Sequence, residues 1–88
     1  MALRHSVYEI VVTARAMKDL EQINLQDKQR IAQKLQQYAH DPKKYARKLV
    51  NSHLGSYRFR IGDYRVIFDL VDFKIVILRI GLRKEIYK

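Results

Sequence analysis

The sequence predicts an α+β domain of order βααβββ, with an antiparallel sheet and an N-terminal helical hairpin packed on one of its faces. Three observations carry that expectation. Two helix-period segments, 13–23 and 25–39, follow one short β-branched run. Three strand-like runs then follow with only Gly62-Asp63 and Val71-Asp72 between them. Connections that short force antiparallel hairpins, and the remaining apolar stripe of the helices needs a sheet face to cover.

Element by element, residues 6–12 (SVYEIVV) read as the first strand. Thr13 is placed to cap the first helix, whose apolar stripe reads Ala14, Met17, Leu20 and Ile23. Asn24 caps the second helix, and Asp27 falls in its first turn, where the helix dipole favours a negative charge. Leu25, Ile31, Leu35 and Tyr38 recur at helical spacing, and Asp41-Pro42 ends the segment, since proline cannot continue a helix. Residues 43–56 (KKYARKLVNSHLGS) read as a basic connection with room for one helical turn. The strands 57–61, 64–70 and 73–80 complete the order. With 88 residues, a single domain spanning 1–88 is expected.

Composition narrows the function. There is no cysteine, which disfavours a disulfide framework and thiolate zinc sites. The apolar run near the start is broken by Tyr8-Glu9, too short and polar for a signal peptide or a membrane span. An intracellular, cytoplasmic protein is therefore expected. The charge is lopsided. Residues 1–42 carry six basic and five acidic side chains, a net of +1, whereas residues 43–88 carry twelve and four, a net of +8. Such a back half attracts polyanions, nucleic acid foremost.

Strand parity locates the attraction. A two-residue turn at Gly62-Asp63 pairs Ile61 with Tyr64, Arg60 with Arg65 and Phe59 with Val66. One face then collects Tyr57, Phe59, Ile61, Tyr64, Val66, Phe68 and Leu70, a core face to which Phe73 is also assigned. The other collects Arg58, Arg60 and Arg65. Three cations on one small patch repel, and a bound phosphate offsets that repulsion. Asp69 and Lys74 are expected to pair across the second turn.

The run 54–88 resembles the RelE/ParE toxin superfamily. The residues carrying the resemblance are Leu54-Gly55, Tyr57-Arg58, Arg60, Gly62, Tyr64-Arg65, Gly81, Arg83 and Tyr87. The front half adds the initial strand, the Ala14…Lys18-Asp19-Leu20 helix and Asp41-Pro42. The resemblance implies a RelE-like fold and, in the RelE branch, a toxin that cleaves messenger RNA in the ribosomal A site and is neutralised by a cognate acidic antitoxin in a hetero-oligomer. A ParE-like inhibitor of DNA gyrase without nuclease activity is the alternative. The functional positions implied are Arg58, Arg60, Arg65, Arg83 and Tyr87. Further RNA contacts are expected at Lys43, Lys44, Arg47 and Lys48 in the basic connection, and at Lys84 in the tail. Two departures stand out. Leu82 occupies the place of a histidine found in many relatives, and arginines stand at 58 and 60 where well-known relatives carry lysines. A proton-shuttling lysine is thereby lost, since arginine does not give up its proton. His5, His40 and His53 show no spacing that pairs two of them, and no residue cluster has metal-ligand spacing, so neither a metal nor a cofactor is expected.

Overall fold

The computed structural model describes residues 7–50 and 52–87. Ser6, the first residue of the expected strand, and His5 lie outside the described residues. The elements run β1 (Glu9–Val12), α1 (Ala14–Glu21), α2 (Leu25–Tyr38), α3 (Pro42–Tyr45), β2 (Arg47–Lys48), β3 (Tyr57–Ile61), β4 (Tyr64–Val71), β5 (Lys74–Leu82) and α4 (Arg83–Ile86). They build one five-stranded sheet of order β1-β5-β4-β3-β2.

The expected α+β class holds. Four of the strands are antiparallel neighbours, but β1 joins the edge of β5 in parallel, with Ile10 opposite Ile75 and Val12 opposite Ile77. A helical connection leaves strand direction open, whereas a hairpin does not. The basic connection also holds more order than a loop. Pro42 opens α3, where its missing N–H is no loss, and Arg47–Lys48 form a short strand against β3.

Both helix starts are as expected. The Thr13 hydroxyl accepts from Ala16 N at 3.3 Å and donates to Ile77 O at 2.7 Å. Asn24 Oδ1 accepts from Asp27 N at 2.8 Å. The buried stripe, however, is Ala16 in α1 and Ile23 just past its end, with Leu20 half-buried, while Ala14 is exposed and Met17 is 52% exposed. Asp19 sets this phase. Its carboxylate accepts from Ile80 N at 2.8 Å and from Arg79 Nε at 2.9 Å. The carboxylate takes the place of a parallel strand where β1 has ended, and it turns the Ala16–Asp19–Ile23 side toward β5. Leu25 is likewise exposed, at the first turn of α2, and Ile31 and Leu35 carry that helix's burial.

The core lies between these helices and one face of the sheet. Phe59 stacks on Phe68 with centroids 4.2 Å apart, Tyr38 tilts against Phe59 at 4.9 Å, and Tyr57 stacks on Phe68 at 5.6 Å. A bulge keeps β5 in this core. Ile67 pairs with Arg79 and Phe68 with Ile77, so Leu78 is the extra residue, and Ile75, Ile77 and Ile80 all face inward although their spacing breaks strict alternation. Two readings are corrected at the β4–β5 turn. The turn residues are Asp72-Phe73, so Phe73 is 64% exposed and not in the core. Lys74 pairs with Val71, and Asp69 instead accepts from Ser56 N at 2.8 Å. Asp72 takes the left-handed conformation (φ 55) that the tight turn demands.

Candidate phosphate-binding site

The face of β3–β4 turned away from the helices carries the arginines. The hairpin has the register that parity predicts, with Arg60 opposite Arg65, Phe59 opposite Val66 and Tyr57 opposite Phe68. Gly62 adopts a positive φ of 60, which a side chain would strain, so the two-residue turn and its register depend on glycine there.

Arg65 is the anchor of the site. It is 5% exposed, and its Nη1 donates to Gly62 O at 3.1 Å and to Tyr64 O at 2.9 Å. The guanidinium is thereby fixed by the turn it follows. Among the described residues its other N–H groups bond no protein acceptor and no carboxylate pairs with it. Burial lowers its pKa from the ordinary value, with further lowering by Arg60, Arg58 and Arg83 and a partial offset from Tyr87. A buried cation surrounded by cations is stabilised by an anion arriving from outside.

The chain's end completes the site. Arg83 N donates to Asp63 O at 2.9 Å, which ties the start of α4 to the β3–β4 turn. Ile86 is 3% exposed and seats α4 on the sheet beside Gly81. Arg83 and Tyr87 are thus brought to Arg58, Arg60 and Arg65, and these five residues with Leu49 line an open cleft of about 440 Å³. Among the described residues no carboxylate lines it. Arginine is effectively always protonated, so among the described lining residues Tyr87, 45% exposed, is the one able to give or take a proton.

The other five sequence candidates lie outside the cleft. Arg47 pairs with Arg58 and therefore faces the same side, at the cleft's flank. Lys48 pairs with Tyr57 and faces the helix side. Lys43 and Lys44 are exposed on α3, and Lys84 lines a separate depression with Asp63, Leu82 and Arg83. His40 and His53 are exposed and do not line the cleft. Leu49 was not a sequence candidate. It hides in a basic run, and only its pairing to Ser56 places it at the site.

A mixed sheet with helices on one face and an arginine-lined cleft on the other defines a small anion-directed α+β protein. Over residues 10–87 the chain matches the family described as ParE toxin of type II toxin-antitoxin system, parDE, and it belongs to that family. It is a type II toxin of the RelE/ParE superfamily. Among solved structures it is similar to a chain of the RelBE2 toxin-antitoxin complex of Mycobacterium tuberculosis, with TM-score 0.80 and 22% identity over 88% of this chain and 99% of that one. It is also similar to a chain of the archaeal RelE-RelB complex of Pyrococcus horikoshii OT3, with TM-score 0.69 and 26% identity over 90% and 98%. No curated protein matches the chain. Among the described residues no helix is long and apolar enough to cross a membrane.

Proposed function

We propose that this toxin is a ribosome-dependent endoribonuclease that cuts messenger RNA in the A site and so stops translation in the cytoplasm. The observation that supports this reading most is the cleft itself: four arginines and one tyrosine converge, with no carboxylate lining the cleft among the described residues. In the proposed reaction the 2′-hydroxyl loses its proton as its oxygen bonds the adjacent phosphorus. The bond from phosphorus to the 5′-oxygen breaks, and that oxygen takes up a proton. The products are a 2′,3′-cyclic phosphate and a 5′-hydroxyl. Arg58, Arg60, Arg65 and Arg83 stabilise the negative charge gathering on the crowded phosphate. Tyr87 moves the proton, because neither a lysine at 58 or 60 nor a histidine at 82 is present to do so. The ribosome holds the substrate in line, which lowers the demand on a weak proton-transfer group.

A cognate antitoxin is the expected partner, as the similar chains come from complexes named with RelB. An acidic antitoxin segment over the arginine face would exclude RNA by charge and by bulk. The family's ParE description favours a second reading, a gyrase inhibitor that binds its target without nuclease chemistry. Primer extension on a message translated with the purified toxin separates the two. A new cut within the A-site codon is expected. An intact message together with gyrase-linked DNA breaks would overturn the nuclease reading.

A further inference from the structure

Four guanidinium groups recognise a phosphate but are indifferent to what the phosphate carries. Among the described residues that line the cleft, Leu49 is the one with an aliphatic side chain. It is held there by a chain of contacts that begins on the same face of β4 as Arg65. Ile67, two residues on, is fully buried although it faces away from the helices, because the β2–β3 connection lies over it. That approach requires glycine at 55, where a Cβ would stand 2.7 Å from Ile67 Cγ2 and 2.9 Å from Leu78 Cδ1. Asp69, two residues further, accepts from Ser56 N at 2.8 Å, and Ser56 O accepts from Leu49 N at 2.9 Å. Asp69 forms no ion pair among the described residues. In so basic a half of the chain, its carboxylate is directed at a backbone amide and not at an arginine.

We propose that Leu49 is the apolar contact the cleft makes with the nucleoside beside the scissile phosphate, and that Asp69 is the positioning residue that holds it there through Ser56. The inference rests on the RNA-cleaving reading above and names the group that senses the nucleoside and not the phosphate. An apolar contact made equally in ground and transition states lowers KM and leaves kcat alone.

The test compares Leu49→Ala, Asp69→Ala and Asp69→Asn with wild type on a translated message, titrating the ribosome–message complex, and measures inorganic phosphate binding by each purified protein. Leu49→Ala and Asp69→Ala are expected to raise KM by about tenfold, with kcat changed by less than about twofold. Asp69→Asn keeps the Oδ1 acceptor and is expected to behave as wild type. Phosphate affinity is expected to be the same in all four proteins. An unchanged KM in Leu49→Ala, or an Asp69→Asn as impaired as Asp69→Ala, overturns the proposal. So does a fall in phosphate affinity, which would make the connection a structural support of the arginines. Leu49 is on a surface connection, so its variant decides the matter if Asp69→Ala does not fold. A wild-type protein that leaves the message intact removes the RNA reading, a result distinct from any of these.

Discussion

The two faces of the β3–β4 hairpin share a backbone and differ in everything else. Tyr57, Phe59 and Ile61 point to the helices, where Tyr57 and Phe59 join an aromatic cluster with Phe68 and Tyr38 and Ile61 packs in the core. Arg58 and Arg60, one residue out of step, line the cleft with Arg65. Neighbours on β4 repeat the contrast. On the core side burial raises the pKa of Tyr64, helped by its hydrogen bond to Asp27 at 3.0 Å; on the cleft side burial lowers that of Arg65. In both cases the charged form is disfavoured, but only Arg65 faces a site where an incoming anion relieves the cost. The period of two divides stability from chemistry within one five-residue strand.

The largest expected effect falls on the cleft side. Tyr87→Phe removes one oxygen and keeps the ring, and A-site cleavage should fall by about 10²–10⁴-fold while ribosome binding persists. Cleavage at the wild-type rate would make Tyr87 a packing residue. On the core side, Phe59→Ala should cost about 3–5 kcal/mol in denaturant unfolding. Phosphate affinity, measured below the lowered melting temperature, should stay near that of wild type; a parallel collapse of binding would break the separation of the two faces. Arg65→Ala should lower cleavage by about 10²–10³-fold. Because Arg65 also clamps Gly62 O and Tyr64 O, the hairpin amides should exchange hydrogen faster in this variant, and growth inhibition equal to wild type at equal expression would refute its role.

Smaller effects sharpen the contrast. Arg60→Ala relieves the cross-strand repulsion with Arg65 and should stabilise the free protein by up to about 1 kcal/mol, a gain that added phosphate erases. A loss of stability would mean the arginines do not strain the empty site. Tyr64→Phe should destabilise the protein by about 1 kcal/mol at neutral pH, where the hydrogen bond to Asp27 is made, and cease to matter in alkali. Tyr64 holds its proton more tightly folded than unfolded. Its contribution is therefore fully present below the ordinary tyrosine pKa of about 10 and is lost as pH rises through the higher folded value. Unfolding curves of the variant should accordingly fall less steeply above pH of about 10; an unchanged slope would remove Tyr64 from the account.

The hairpin was legible because its turn contains only Gly62-Asp63, which leaves a single register and so assigns every side chain to a face. The caps at Thr13 and Asn24 were legible for a similar reason, since each bonds within three residues of itself. The α1 stripe was misjudged because its phase answers to Ile80 N and Arg79, some 60 residues away in sequence. Phe73 was misplaced because Val71-Asp72 and Asp72-Phe73 serve equally well as a turn in sequence, and only the pairing of Val71 with Lys74 distinguishes them.

By itself, the sequence determined the α+β class, the two helix starts, the arginine face and the identity of the five residues that share the cleft. All but two of these follow from short-range rules: turn length, strand alternation and local capping; Arg83 and Tyr87 were assigned by the family resemblance. The tertiary structure alone decided that β1 runs parallel to β5, that Leu78 is a bulge, and that Leu49 rather than Lys48 reaches the site. It also separated Arg47, on the cleft's side of the sheet, from Lys43, Lys44 and Lys84. Each of these depends on which distant backbone groups a segment finds for its own amides and carbonyls, and that pairing is a property of the whole sheet and of no local run of residues.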